Sequence, residues 1–271
     1  MNRCRRRRPR TQRARRLTPA LSLGIAVTAT LAGCAGTDAT DAASTDAAST
    51  TVTVFAAASL TRVFDDLAEG FEARHPGTDV VLSSGGSGAL AQQILAGAPA
   101  DVFASAAEAP MQTVVDAGLA ESPAVFATNT LQLVVPAGNP AEVSGLDDLA
   151  RPALRVALCD VSVPCGAATA DLLARAGVAP APDTLEADVT SVVTKVMLGE
   201  VDAALVYRTD AIAAGDAVEA IDAPGAASVV TRSPIAVMSD AASPDAAAEF
   251  VAFVTGPDGR AALDAAGFGA P

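Results

Sequence analysis

From residue 51 onward the chain alternates two kinds of apolar pattern. Short continuous runs rich in β-branched residues read as buried strands. Longer stretches with apolar residues every three to four positions read as amphipathic helices. The first run is TVTVFAA at 51–57. Ser59 then falls at the N-cap position of a helix. Its apolar residues Leu60, Val63, Phe64, Leu67 and Phe71 keep the helical period, and it must stop by Pro76. Val80, Val81 and Leu82 form a second strand leading into the Gly/Ser-rich turn at 83–88, after which Leu90, Ile94 and Leu95 mark a helical face. DVFAS at 101–105 reads as a third strand, and Met111, Val114 and Val115 mark the next helix. The pattern then resumes with strands at 130–135 (TLQLVV) and 155–158 and a helix at 167–176. Val189, Val192, Val193, Val196 and Met197 share a helical face from which Lys195 points away. Strands at 203–207 (AALVY) and 233–238 (SPIAVM) precede two closing helices between 243 and 266, split at Gly256-Pro257.

Strands alternating with helices predict an α/β protein built on parallel sheets. The chain crosses between two such groups near 129–136 and again near 228–236. This predicts two lobes, 51–132 with 233–271 and 133–232, around a cleft. Ligands of open α/β sheets sit beyond the carboxyl ends of the strands. Three turns lie there, each just before a helix: Ala57-Ala58-Ser59, Gly86-Ser87-Gly88 and Val163-Pro164-Cys165-Gly166. Free backbone N–H groups and the helix dipole favour an anion at such places. Two of the turns add a hydroxyl, and none carries Arg or Lys. Surroundings that only donate suit a fully deprotonated oxyanion. Tyr207, at a strand end, reads by itself as a half-buried core residue.

Composition removes several function classes. The 271 residues are 51% hydrophobic but only 3% aromatic, with no Trp and one Tyr, which disfavours binding by stacking on bases or sugars. One His (His75) and one Lys (Lys195) leave little for general-base catalysis, Schiff-base chemistry, Gly-Lys phosphate loops or multi-histidine metal sites. A serine hydrolase would have to use His75, which stands at a helix end before Pro76. The chain therefore reads as a binding protein rather than an enzyme. An amino-acid ligand would ask for an Arg beside its carboxylate, and the three turns have none.

The net charge of −13 hides an asymmetry. Nine of the 18 basic residues lie within the first 16 positions, and no acid precedes Asp38. Beyond them stand 9 basic and 31 acidic residues, a net of −22. Such a surface repels nucleic acid and anionic lipid. The Arg-rich start is followed by an apolar stretch at 17–32, too short for a spanning helix, so residues 1–33 read as a secretory signal. It ends in Leu31-Ala32-Gly33-Cys34, which resembles the lipobox of bacterial lipoproteins; that resemblance implies acylation of Cys34 and anchoring on the outer face of the cell membrane. Residues 34–50 are small, polar and repetitive, and read as a disordered tether. Once the signal is removed and Cys34 acylated, Cys159 and Cys165 remain. Outside the cytoplasm such a pair favours a disulfide. Without a nearby His or third Cys, zinc is a poor alternative.

Three strings carry a wider resemblance: VTVFAAASL at 52–60, SGGSGALAQQILAGAPADVFASA at 84–106 and LVYRTDA at 205–211. Together they resemble the substrate-binding proteins of bacterial molybdate ABC transporters, over about 52–270. The resemblance implies a type II periplasmic binding fold of two α/β lobes joined by a two-stranded hinge and closing on the ligand. It implies a tetrahedral oxyanion, molybdate or tungstate, held by hydrogen bonds alone, with no cofactor and no protein ligand to the metal. By motif the contacts fall on the side chains of Ser59, Ser87 and Tyr207 and on the backbones of Cys165 and Val189. Cys165 stands where the family has Ala in its Val-Pro-Ala-Gly turn, which leaves a backbone contact intact. The implied partners are a membrane permease and, through it, ATPase subunits, with the binding protein itself a monomer. Another oxyanion such as sulfate or phosphate on the same fold is the alternative, and an adhesive lipoprotein without a ligand is a further one.

Overall fold

The computed structural model describes residues 49–271. The expected signal, Cys34 and nearly all of the tether lie outside them. The first group of elements comprises β1 (Thr50–Ala57), α1 (Thr61–Glu72), β2 (Thr78–Gly85), α2 (Ser87–Leu95), β3 (Val102–Ala104) and α3 (Glu108–Asp116). Strand β4 (Ala124–Pro136) follows, and then β5 (Val156–Cys159), α4 (Pro164–Ala176), β6 (Thr184–Glu186), α5 (Val189–Met197), β7 (Ala203–Tyr207), α6 (Arg208–Ala214) and β8 (Val218–Ile221). The chain closes with β9 (Val230–Val237), α7 (Pro244–Thr255) and α8 (Pro257–Ala265). No described helix is long and apolar enough to cross a membrane.

The strand order is β2-β1-β3-β9-β4-β7-β5-β6, with β8 paired to β4. Strands β2, β1 and β3 are mutually parallel, as are β6, β5 and β7. Between these two groups run β4 and β9, antiparallel to each other and to their other neighbours. The expected parallel strands are found on both sides, and the two antiparallel strands between them make the whole sheet mixed. Strand β4 is the seam: residues 124–130 pair with β9, and from Leu131 on they pair with β7 and β8. Its 13 residues exceed the predicted 130–135 because it serves both groups in turn.

The amphipathic period of α1 buries Val63, Phe64, Leu67 and Phe71. Phe64 and Phe71 meet Phe250 of α7 edge-on, with centroids 6.2 and 5.3 Å apart. The carboxylate of Asp101, 4% exposed, fastens this half. It accepts the N–H of Thr53 in β1 at 2.7 Å and that of Ser243, ahead of α7, at 3.0 Å.

Several local readings need correction. Ser59 is not a helix N-cap; it sits within a 3-10 turn (Ala58–Leu60) ahead of α1 and makes no capping bond. Leu95 and Met197 do not join the buried faces of α2 and α5; both are last helical residues and stand 39% and 49% exposed. Helix α4 begins three residues before its predicted start, because Pro164 fits the first helical position, where no N–H is needed. The short elements β6, α6 and β8 have no counterpart in the sequence reading.

Candidate functional site

The strands of both parallel groups point their carboxyl ends at one another, and a small cavity of about 20 Å³ lies there. One half contributes the turns after β1 (Ala57, Ala58, Ser59), β2 (Gly86, Ser87) and β3 (Ala106). The other contributes the turns after β5 (Val163, Pro164, Cys165), β6 (Asp188, Val189) and β7 (Tyr207). All five residues singled out by the sequence motifs, Ser59, Ser87, Cys165, Val189 and Tyr207, therefore line one cavity. The sequence separations, up to nearly 150 residues, are closed by the sheet. No Lys or Arg lines it. The space accommodates a water-sized group, since about 10–15 Å³ suffices for one water.

Each wall offers donors. Ser59 lies in the 3-10 turn, and its hydroxyl has no partner among the described residues. Ser87 opens α2 and is 1% exposed. Its Oγ accepts the N–H of Ala106 at 3.1 Å. That bond occupies a lone pair and leaves the hydroxyl proton free to point elsewhere. Cys165 and Val189 sit in the first turns of α4 and α5, where amides have no acceptor within the helix. Tyr207 is 1% exposed, and its hydroxyl has no hydrogen-bond partner among the described residues. Burial first, and then the neighbouring Asp210 carboxylate, push its pKa far above the ordinary phenol value. Thr231 lies close enough to pull slightly the other way, but off hydrogen-bond geometry, and its own hydroxyl donates to the carbonyl of Asn129 at 3.3 Å. The phenol therefore stays protonated, as a donor must.

The backbone approaches closely here. A Cβ on Gly86 would lie 2.6 Å from the carbonyl oxygen of Ala187, and one on Gly166 would lie 1.9 Å from that of Asp160. Real Cβ atoms essentially never come so near, so Gly86 is needed where the two halves meet, and Gly166 where α4 turns back on the loop before it. A disulfide joins Cys159, the last residue of β5, to Cys165, with Cα atoms 5.7 Å apart. It fastens the loop that presents the α4 amides.

Two carboxylates to which the sequence assigns no role stand here. Asp188 is the N-cap of α5: its Oδ1 accepts the Ser191 N–H at 2.8 Å and its Oδ2 the Ser191 hydroxyl at 3.1 Å. Asp210 lies in the first turn of α6 and accepts the N–H of Tyr207 at 3.2 Å. Burial pushes the Asp210 carboxyl up to about 7, opposed by that N–H and reinforced by the charge of Asp188. The available signals were the spacings Asp188-x-x-Ser191 and Tyr207-x-x-Asp210, both of the capping kind. Asp210 also faces a larger cleft of about 730 Å³, which shares Ser59 with the small cavity and includes Arg62, Asp66 and Phe268.

His75 takes no part. It follows α1, stacks on Phe71 at 4.1 Å and places Nδ1 3.3 Å from Glu249. The 12 residues of α1, about 18 Å of helix, separate it from Ser59. Lys195 pairs with Glu186 and Glu200 away from the cavity. Among the described residues no cluster of His, Cys, Asp and Glu could hold a metal ion.

Residues 52–269 match the family of bacterial extracellular solute-binding proteins. The chain belongs to that family. Of the curated relatives of this solute-binding protein, the molybdate-binding protein ModA of Mycobacterium tuberculosis is 42% identical over 256 residues, which is 93% of this chain and 98% of the relative. Among solved structures, the periplasmic molybdate-binding protein of Azotobacter vinelandii superposes with a TM-score of 0.70 at 24% identity, over 81% of this chain and 99% of that one. The sulfate-binding protein SubI of M. tuberculosis gives a TM-score of 0.72 at 21% identity, over 81% and 86%. The fold is that of type II periplasmic binding proteins. The family and this relative are described by what they bind and not by a catalysed reaction, in keeping with a solute-binding protein rather than an enzyme.

Proposed function

We propose that this solute-binding protein captures molybdate, and tungstate with it, outside the cytoplasm and hands it to an ABC permease coupled to ATPase subunits. The observation that carries this reading is the convergence of Ser59, Ser87, Cys165, Val189 and Tyr207 on one small cavity that no cation lines. In this reading the hydroxyls of Ser59, Ser87 and Tyr207 and the amides of Cys165 and Val189 donate to the oxygens of a tetrahedral dianion. The molybdenum itself has no protein ligand, and no cofactor is needed. Hydrogen bonds to a charged acceptor contribute about 1.5–3 kcal/mol each, so a handful suffices for tight capture after ordering and desolvation are subtracted. The 42% identical relative favours molybdate over the other oxyanions. The fold alone does not choose, since a sulfate-binding protein shares it.

The seam strands β4 and β9 act in this reading as the hinge between two lobes, 51–132 with 233–271 and 133–232. Residues 1–33 are removed on export, Cys34 carries the lipid, and 34–50 tether a monomeric receptor to the outer face of the cell membrane. A thermal-shift titration with molybdate, tungstate, sulfate and phosphate tests the ligand. A ligand at 100 times its Kd stabilises by about 2.7 kcal/mol. A saturating shift with micromolar molybdate and tungstate, and none with sulfate, is the expected result. A shift with sulfate or phosphate alone would move the assignment to another oxyanion, and no shift with any of the four would remove it.

A further inference from the structure

The cavity contains an apparent contradiction. Four helical first turns surround it, and two of them, those of α5 and α6, already hold a carboxylate. Asp188 lines the cavity itself, and Asp210 bonds to the backbone of Tyr207, another lining residue. A dianion placed among the donors meets these negative charges without a Lys or Arg to offset them. The two acids differ in how they are held. Both Asp188 oxygens accept bonds from Ser191. Asp210 has a single protein donor, the Tyr207 N–H, and leaves its other oxygen without a bond among the described residues.

Resting on the molybdate reading above, we propose that Asp210 is the residue through which anion capture is coupled to a proton: the dianion binds to the form in which Asp210 is a neutral carboxylic acid. Protonation removes the repulsion and leaves the Tyr207 N–H bond in place on the unprotonated oxygen. The proton comes from solvent through the larger cleft, which Asp210 faces. By linkage, whatever makes the anion favour protonated Asp210 makes the protonated protein favour the anion equally. The other charged groups around Asp210 do not substitute for it. From α5, Asp188 adds repulsion. From α1, Asp65 and Asp66 line the same cleft, and Arg62 spends its guanidinium on the carbonyl of Ala213 at 3.1 Å. On its own helix, Arg208 reaches instead to the carbonyl of Gly267 at 2.7 Å. Tyr207 stays protonated throughout. The raised pKa of Asp210, about 7 before any anion arrives, puts the coupling within the working pH range.

Calorimetric titration of the protein with sodium molybdate between pH 6 and pH 8, in buffers of different ionisation enthalpy, reads both affinity and protons taken up. With an unliganded pKa of about 7 and a complex that keeps the proton, Kd rises about tenfold from pH 6 to pH 8, and uptake approaches one proton per anion at pH 8. Asp210→Asn keeps an acceptor for the Tyr207 N–H and removes the charge. It is expected to bind at pH 8 as tightly as the parent at pH 6, without proton uptake. A Kd flat within about twofold over this range, or a pH dependence that survives in Asp210→Asn, overturns the proposal and leaves the molybdate reading standing. The proton count on the unmodified protein decides the matter even if the variant folds poorly. Failure of molybdate to bind at any pH overturns both.

Discussion

Ser59 and Ser87 are given the same task toward the anion, but the structure embeds them differently, and this separates two variants. Ser59 is half-exposed in a 3-10 turn, and its hydroxyl bonds to nothing among the described residues. Ser59→Ala should cost only the bond to the ligand. At about 1.5–3 kcal/mol for a hydrogen bond to a charged acceptor, Kd should weaken about 10- to 150-fold. The melting temperature without ligand should hardly move, since surface changes of this kind stay within about 0.5 kcal/mol. Ser87 is buried, and its Oγ is the acceptor for the Ala106 N–H. Ser87→Ala loses the ligand bond as well, and it also strands a buried donor, which costs about 1–3 kcal/mol of folding stability. For a folded part of this size each kcal/mol lowers the melting temperature by about 2–4 °C, so a fall of about 2–12 °C is expected. Differential scanning fluorimetry without ligand, followed by calorimetric titration with molybdate, measures both quantities on both variants. Equal destabilisation of the two variants without ligand would refute the burial argument. Unchanged affinity in Ser59→Ala would refute its role as a donor.

Two further outcomes follow from the charges. The folded pKa of Asp210, about 7, lies above the ordinary carboxylate value of 3.8, so its contribution is present at acid pH and is lost as pH rises between them. Asp210→Asn should match the parent in stability near pH 4 and exceed it at pH 8, by up to about 4 kcal/mol for a shift of about three pKa units; denaturant unfolding at the two pH values that gave no difference at pH 8 would rule this out. Molybdate should also bind a few-fold more tightly at 300 mM than at 20 mM sodium chloride, because salt screens a surface of net −22 while leaving short donor contacts intact; tighter binding at low salt would point instead to a cationic site.

The sequence made much of this arrangement readable, for identifiable reasons. Helix α1 was legible because Val63, Phe64, Leu67 and Phe71 repeat with its period and all four are buried. Strand β7 was legible because AALVY is buried on both faces and so reads as a continuous apolar run. Strand direction was not legible. Hydrophobic period carries no sign, so nothing local marks β4 and β9 as the antiparallel seam. Strands β6 and β8, three and four residues long, lie at sheet margins where alternation has no room to show. Leu95 and Met197 were misplaced because a helical period continues past the point where the core ends.

The site divides along the same line. Contacts made by side chains leave a trace in the sequence: Ser59 and Ser87 stand in small-residue turns at strand ends. A proposed contact through backbone leaves less, since almost any residue provides an amide: the turn at 163–166 shows its place at a strand end, whereas Val189 is reached only through resemblance. One part of the string at 84–106 works away from the cavity. The aspartate of the Ala-Pro-Ala-Asp-Val-Phe string is the Asp101 staple between β1 and the start of α7. Asp188 and Asp210 were invisible for a different reason. An anion site is searched for donors and cations, and carboxylates at its helix ends look like ordinary caps. Their meaning emerges only once the fold sets both beside the same cavity. There the absence of any lining cation leaves protonation of Asp210, the less bonded of the two, as the means of reducing the negative charge that a dianion meets.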